Sequence, residues 1–256
     1  MLIAVDVGNT QTHVGMFRGD DLVEHWRFAT VREATGDQIA VVMSGVLGLR
    51  GLSLKDVDGA IVSSVVPQLA HEYEYISHNY LDGGLLVVGP SVKSGMPIRI
   101  ERPHELGTDR LVNAVAAWDL NHSACVVVDF GTSTNYDIVS DQGEYLGGII
   151  SPGIEISMDA LYERAAKLTK VDIEAPRDGV IGRSTQAAIQ SGLVYGFAGQ
   201  VDGILQRIRA EMGEDTKTIG TGGLASTIAP FCQQLDEVDD LLTLNGLRIL
   251  WERNTG

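Results

Sequence analysis

Two short apolar runs, each ending at an aspartate, give the chain its most distinctive pattern. The first lies in residues 2–8 and the second in residues 125–131, and each has four apolar residues, then Asp, one apolar residue and Gly. A short continuous apolar run with β-branched residues, bounded by turn residues, is typical of a strand buried on both faces. In each copy a further strand-like stretch leads to a polar turn, at Gly19 and at Gly143. The pattern therefore predicts the same β-hairpin twice.

The repeated hairpin indicates a duplicated domain. One Asp-x-Gly after a strand is equally compatible with an ordinary strand-end turn, but two copies with matching strands and turns indicate internal repetition. Glycine allows a tight reversal in which backbone N–H groups can approach a ligand. Hydroxyl side chains follow in both copies, namely Thr10, Thr12, Thr132, Ser133 and Thr134.

Two such turns facing each other would form a phosphate clamp, with Asp6 and Asp129 available for cations. We therefore predict an α/β fold of two lobes, with a nucleotide in the cleft between them. The predicted lobes are residues 1–115 and residues 116–256, each within the usual size of a domain.

Three further strands are expected in the first half, at residues 22–28, 57–65 and 85–88, from their apolar and β-branched content. The second of these ends in Ser63 and Ser64. These hydroxyls could line a cleft, or they could only mark the end of a strand.

Two helices are predicted between these strands. Thr35 is a suitable N-cap, and Gln38 three residues later gives the spacing of a capping box. Pro67 favours the first turn of a helix that continues to Tyr80. The earlier helix would carry on one face Ile39, Val42, Met43, Val46 and Leu47.

Residues 107–110 form a polar turn at the start of another helical stretch. Helix N-termini favour anions, because their N–H groups lack intrahelical partners and the helix dipole is positive there. Thr108 or Asp109 could serve only as a helix cap, which is common, or the turn could bind a ligand. Arg110 favours the second interpretation, because a cation in the first turn opposes the helix dipole.

In the second half, glycines interrupt a long apolar helical stretch at residues 185–208. Their spacing indicates close helix packing, either in a dimer or beneath the cleft. The glycines are Gly192, Gly196, Gly199 and Gly203. Residues 157–168 predict an amphipathic helix, and a glycine-rich turn at residues 220–223 could let an adenine lie against the backbone.

The composition limits the classes of binding partner and the cellular compartment that we expect for this chain. The formal net charge is −15, which disfavours nucleic acid and anionic membrane surfaces as partners. A nucleotide site in such a chain would need backbone N–H groups, placed arginines and bound cations. No apolar run is long enough to span a membrane, and Cys125 and Cys232 are isolated in sequence, which fits a reducing compartment. We expect a cytoplasmic protein.

Taken together, these motifs resemble type III pantothenate kinases. The segments that carry the resemblance, in chain order, are residues 6–10, 107–110, 129–132, 147–153, 182–185, 221–225 and 242–247. That family belongs to the acetate and sugar kinase, Hsp70 and actin superfamily. The resemblance implies a duplicated RNase H-like (actin-like ATPase) fold with ATP between the lobes, and a homodimer. It also implies ATP-dependent phosphorylation of pantothenate to 4'-phosphopantothenate, the first step of coenzyme A biosynthesis.

The resemblance also implies roles for individual residues. Asp109 would be the general base on the primary hydroxyl of pantothenate, Asp129 would coordinate K⁺ or NH₄⁺, and Asp6 would lie near Mg²⁺. The ATP phosphates would be bound by Asp6, Val7, Gly8, Asn9, Thr10, Gln11, Thr12 and His13 on one side and by Thr132 on the other. Pantothenate would be bound by Gly107, Thr108, Asp109, Arg110 and Thr185.

Some positions depart from the family's pattern. Thr108 stands where family members usually have Ala, and Ile100 stands where a Tyr often precedes the substrate turn. Two other functions remain open: a catalytically idle homologue acting as a regulatory nucleotide-binding protein, and a kinase for a different small molecule. Retention of every expected carboxylate favours the enzyme, and the turn at residues 107–110 favours pantothenate.

Overall fold

The computed structural model describes residues 1–165, 170–177 and 179–256. The chain divides into two units. The first unit comprises Met1–Met96, Glu101–Ala116 and Leu242–Gly256, and the second comprises Pro97–Ile100 and Ala117–Leu241. Each unit contains one five-stranded sheet.

The strands match the sequence pattern closely. Those of the first unit are β1 (Leu2–Val7), β2 (Gln11–Arg18), β3 (Asp21–Ala29), β4 (Gly59–Ser64) and β5 (Gly84–Val87). Those of the second unit are β6 (Cys125–Phe130), β7 (Ser133–Val139), β8 (Tyr145–Pro152), β9 (Lys217–Thr221) and β10 (Glu237–Val238).

The two sheets have the same strand order. The first runs β3-β2-β1-β4-β5 and the second runs β8-β7-β6-β9-β10. In each sheet the central strand, β1 or β6, pairs antiparallel with the next strand of its hairpin and parallel with a later strand. The registers also agree, because Asp6 lies opposite Ser63 on β4 and Asp129 lies opposite Thr221 on β9. The predicted duplication is confirmed.

The helices are α1 (Gly36–Leu49), α2 (Pro67–Tyr80), α3 (Thr108–Asn121), α4 (Ile154–Arg164), α5 (Thr185–Met212), α6 (Ala225–Ile228) and α7 (Leu242–Thr255). Thr35 caps α1, and its capping box with Gln38 is present. Helix α2 begins at Pro67 and ends at Tyr80, as predicted. The predicted helix of residues 157–168 corresponds to α4, and residues 166–168 lie outside the described part of the chain. No helix that the structure describes is both long and apolar enough to cross a membrane.

Each sheet carries its own hydrophobic core. In the first unit, β1 and β4 pack against α1 and α2, and in the second unit β6 packs against α5 through Val126, Val194 and Leu205. One detail of the predicted α1 face is wrong. Val42 is 42% exposed, whereas Ala40, which the prediction omitted, is buried.

The C-terminal helix differs from the predicted division into residues 1–115 and 116–256. Helix α7 packs on β1, β2 and β4 and belongs to the first unit. Its buried leucines, Leu244, Leu247 and Leu250, cover apolar surface of the first sheet. The sequence shows that this helix has an apolar face, but it does not show which of two similar sheets that face covers.

Candidate active site

The turn between β1 and β2 is the first candidate ligand site. The N–H of Gly8 donates a hydrogen bond of 3.0 Å to the carbonyl of Gln11, which closes the turn. Asn9, Thr10 and Gln11 are exposed there. Of the predicted phosphate-loop residues, these exposed residues and Gly8 form the turn itself.

The remaining loop residues lie within strands. The side chains of Val7, Thr12 and His13 are buried. Burial, with smaller contributions from the neighbouring Arg27 and His25, lowers the pKa of His13 to about 3. Its imidazole is therefore neutral near pH 7 and cannot supply positive charge for a phosphate.

Asp6 lies at the carboxyl end of β1, level with Ser63 on the parallel strand β4. The hydroxyl of Ser63 is buried and donates a hydrogen bond of 3.0 Å to the hydroxyl of Thr108, the first residue of α3. This bond holds the N-terminus of α3 at the edge of the sheet where β1 ends. The structure therefore brings together the predicted Mg²⁺ carboxylate and the predicted substrate turn. The side chain of Ser63 is fully buried, and the hydroxyl of Ser64 donates to the carbonyl of Val66 just after the strand ends.

The carboxylate of Asp109 folds back over Gly107. A Cβ atom built on Gly107 would lie 2.5 Å from Oδ1 of Asp109, so only glycine leaves room for this arrangement. Burial raises the pKa of Asp109, and hydrogen bonding and attraction from Arg110 oppose that rise. Desolvation outweighs the effect of Arg110, so the net shift of the Asp109 pKa is upward.

The second candidate turn, between β6 and β7, surrounds Asp129. The N–H of Gly131 donates a hydrogen bond of 3.1 Å to the carbonyl of Ser133, and Thr132 is exposed at the tip of the turn. The β9–α6 turn approaches from the other side at Gly222, which has a φ of +95°. A Cβ on Gly222 would lie 2.7 Å from the backbone nitrogen of Phe130 and closer still to Oδ1 of Asp129.

This geometry changes the interpretation of the glycine-rich turn. The space left by the missing side chain of Gly222 is occupied by Asp129, and the space beside Gly220 is occupied by Leu235. Only Gly223 opens onto free space. Gly223 is thus the position in this turn where another molecule could lie against the backbone.

Thr185 is the first residue of the 28-residue helix α5, and its side chain is exposed. Ser184 caps the helix by accepting a hydrogen bond from the N–H of Ala187. Thr185 and Thr132 belong to the second unit, whereas Asp6 and residues 107–110 belong to the first.

The expected cations fit the donors that are present. Among the described residues, no group of three or more His, Cys, Asp or Glu side chains could form a metal site made of protein ligands alone. Mg²⁺ in phosphoryl-transfer sites is held through one or two carboxylates together with substrate phosphates. A single carboxylate at the end of each central strand, Asp6 or Asp129, matches that donor chemistry.

Several contacts around the first turn were not predicted from the sequence. Arg32 donates a hydrogen bond of 3.0 Å from Nη2 to Oδ1 of Asn9. The hydroxyl of Thr30 lies 2.9 Å from that of Thr12, and the N–H of Thr30 donates to the carbonyl of Thr10. A single arginine or threonine in a polar connection carries no sequence signal of such a contact.

Comparison of the sequence with known proteins identifies the family of this chain. A sequence profile described as type III pantothenate kinase matches residues 2–207. The chain belongs to the type III pantothenate kinase family. A member from Moorella thermoacetica is 48% identical over 255 residues, covering 100% of both chains. Another, from Myxococcus xanthus, is 47% identical over 254 residues, covering 99% of both chains.

Solved structures support the fold at lower identity. Component A of the (R)-2-hydroxyglutaryl-CoA dehydratase from Acidaminococcus fermentans has a TM-score of 0.58 and 15% identity, covering 99% of this chain and 97% of that one. A protein from Porphyromonas gingivalis, described as an N-acetylglucosamine kinase, has a TM-score of 0.53 and 12% identity, covering 100% and 99%. At such identities the likeness concerns the fold alone. This family member therefore has the actin-like ATPase and sugar kinase fold, as its resemblance to type III pantothenate kinases implied.

Proposed function

We propose that this chain transfers a phosphoryl group from ATP to the primary hydroxyl of pantothenate, giving 4'-phosphopantothenate for coenzyme A biosynthesis. The observation that carries the proposal is the 48% identity, over the full length of both chains, to a type III pantothenate kinase. The geometry of the first unit agrees, because it places a partly buried carboxylate, Asp109, at the edge of the sheet where the strand of Asp6 ends.

Asp109 is proposed as the general base. Phosphoryl transfer passes through a loose transition state, so that positioning and charge neutralisation provide most of the catalysis. A base must still accept the proton of the attacking hydroxyl, and it acts best when its pKa lies near the working pH. Burial raises the pKa of Asp109 in that direction. Arg110, the next residue, supplies a guanidinium suited to the carboxylate of pantothenate.

The other predicted residues are proposed to bind ATP and the cations. The exposed turn at Gly8, Asn9 and Thr10 would bind phosphate oxygens, and Thr132 is proposed as a further contact to ATP phosphate. Asp6 would hold Mg²⁺, which neutralises phosphate charge when bound. Asp129 would coordinate K⁺ or NH₄⁺, and Thr185 would contact pantothenate.

We also propose that the chain forms a homodimer through helix α5. Three glycines of α5, Gly192, Gly196 and Gly199, are exposed, and a Cβ atom on any of them would meet nothing within 4 Å. Each helical glycine costs about 1 kcal/mol relative to alanine, and among residues 1–165, 170–177 and 179–256 no close packing at these three glycines offsets that cost. A second copy packed closely against this face would provide one. Both cysteines are free thiols, which fits the cytoplasm as the compartment.

The proposal is tested by measuring ADP release from purified protein with ATP, Mg²⁺ and pantothenate, in K⁺ and in Na⁺. Wild type and Asp109→Asn are compared, and Asp129→Asn is included to test the monovalent cation. We expect turnover that needs pantothenate and K⁺ or NH₄⁺. Asp109→Asn should lose about 10²- to 10⁴-fold in kcat, the range typical of general acid–base catalysis. Asp129→Asn should no longer respond to K⁺.

Two results would contradict the proposal. ATP hydrolysis that does not depend on pantothenate would indicate a kinase for another substrate. Nucleotide binding without any turnover, in K⁺ or Na⁺, would indicate a regulatory nucleotide-binding protein.

A further inference from the structure

Arg32 lies beside the first phosphate turn in a strongly acidic chain. It belongs to the connection between β3 and α1, and its side chain is exposed. Nη2 donates a hydrogen bond of 3.0 Å to Oδ1 of Asn9, which is part of the turn. Within the described part of the chain, this arginine forms no ion pair with a carboxylate.

The same connection is fixed to the turn by its backbone. The N–H of Thr30 donates a hydrogen bond of 2.9 Å to the carbonyl of Thr10, and the Thr30 hydroxyl lies 2.9 Å from that of Thr12. Thr12 itself is buried within β2. Arg32 follows Thr30 by two residues in the chain. The hydrogen bonds of Thr30 therefore fix the backbone near Arg32 relative to the turn.

The guanidinium of Arg32 has further N–H donors available for a ligand. Arginine carries five N–H donors in a planar fork, and the bond to Asn9 uses one of them. A phosphate oxygen bound at Gly8, Asn9 or Thr10 would meet a cation that is already oriented. The net charge of −15 makes such a cation valuable, because the surrounding protein repels a nucleotide.

We propose that Arg32 binds a phosphate oxygen of ATP, and that Asn9 orients its guanidinium for this contact. The inference rests on the ATP site of the proposed function and adds a residue outside residues 6–13 to it.

The test is equilibrium binding of ATP in the absence of pantothenate, measured by titration calorimetry. Arg32→Gln should raise the Kd for ATP by about 10- to 100-fold, the usual value of a hydrogen bond to a charged group. Arg32→Lys should recover part of the affinity, since it keeps the charge but loses the planar fork. Adenosine, which has no phosphate, should bind wild type and Arg32→Gln within about twofold of each other, because the lost contact is to phosphate.

The matched control is Arg18→Gln. Arg18 is an exposed arginine at the opposite end of β2, so the variant has the same net charge without a change at the turn. Its Kd for ATP should stay within about twofold of wild type, because a distant exposed charge is largely screened. Thermal unfolding of all variants checks that Arg32→Gln is folded. If it is not, Arg32→Lys provides the test of ATP binding.

The double variant Asn9→Ala/Arg32→Gln distinguishes a direct contact between Arg32 and phosphate from an indirect effect of Arg32 through Asn9. If Arg32 touches phosphate, Arg32→Gln still weakens ATP binding when Asn9 is already Ala. If its effect vanishes in that background, or if Arg32→Gln binds ATP like Arg18→Gln, the inference is overturned. ATP binding that depends on Arg32, without pantothenate phosphorylation, overturns the proposed function alone. Normal phosphorylation with an unchanged ATP affinity in Arg32→Gln overturns this inference alone.

Discussion

The hydroxyl of Ser63, at the end of β4, donates a hydrogen bond of 3.0 Å to the hydroxyl of Thr108, at the start of α3. Ser63 is fully buried and lies opposite Asp6 on the neighbouring strand β1. The residue after Thr108 is Asp109. One hydrogen bond therefore connects the strand that lies beside Asp6, the proposed Mg²⁺ carboxylate, with the helix start that carries Asp109, the proposed base.

We expect the two hydroxyls to stabilise the fold as a bonded pair and not independently of each other. Ser63→Ala or Thr108→Ala alone leaves a hydroxyl without its partner and should cost about 1–3 kcal/mol in the free energy of unfolding. The double variant removes both polar groups and should be less destabilised than the sum of the two. Urea unfolding of the four proteins measures this. Strictly additive losses would show that the bond contributes little.

Asp109→Asn should stabilise the protein near neutral pH while removing activity. The folded-state pKa of Asp109 is raised by burial, so stability falls as the pH rises from the unfolded pKa through the folded one, and the full cost of the desolvated charge is present above it. Below the unfolded pKa of about 3.9, both states are protonated and the cost is absent. The variant should therefore melt a few degrees above wild type at pH 7, and the difference should shrink toward zero as the pH falls to about 4.

The control for this prediction is Asp82→Asn, which removes the same charge from an exposed side chain. It should melt like wild type at pH 7, because a surface substitution of this kind rarely changes stability by more than about 0.5 kcal/mol. An Asp109→Asn protein that melts at or below the wild-type temperature at pH 7 would contradict the account of Asp109.

Gly222→Ala should destabilise the second unit and displace Asp129. The position has a φ of +95°, and the added Cβ would overlap Asp129 and the backbone of Phe130. We expect the free energy of unfolding to fall by at least about 2 kcal/mol. We also expect turnover to lose its response to K⁺. Gly223→Ala is the matched control, since nothing lies within 4 Å of its Cβ position. Equal melting temperatures for the two variants would contradict the described approach of Gly222 to Asp129.

Gly199→Gln should separate the proposed dimer. The side chain would project from the exposed glycine face of α5, where a second copy is proposed to pack. Sedimentation velocity should show a shift from dimer to monomer. Gly45→Gln is the control, because Gly45 is also a helical glycine with open space around it, on α1. That variant should remain dimeric and gain about 0.5–1 kcal/mol from helix propensity. A dimeric Gly199→Gln protein would place the interface elsewhere.

Local pattern was enough to predict most elements of this fold. The β-branched runs before Asp6 and Asp129 become β1 and β6, and the capping residue Thr35 and the N-terminal Pro67 mark where α1 and α2 begin. These features follow from backbone preferences and from burial of a strand on two faces, which neighbouring residues decide. The repetition of the hairpin then predicts two sheets of one topology, as observed.

Contacts between distant parts of the chain were decided only by the tertiary structure. The packing of α7 on the first sheet, the bond between Ser63 and Thr108, and that between Arg32 and Asn9 each join segments that no local pattern connects. The upward shift of the pKa of Asp109 belongs here as well, because it depends on how much water the folded chain removes from the carboxylate. The sequence by itself determined which residues could perform the chemistry, since residue type and local order are written in it. Only the tertiary structure decided their surroundings, because desolvation and long-range hydrogen bonds exist only once the chain has folded.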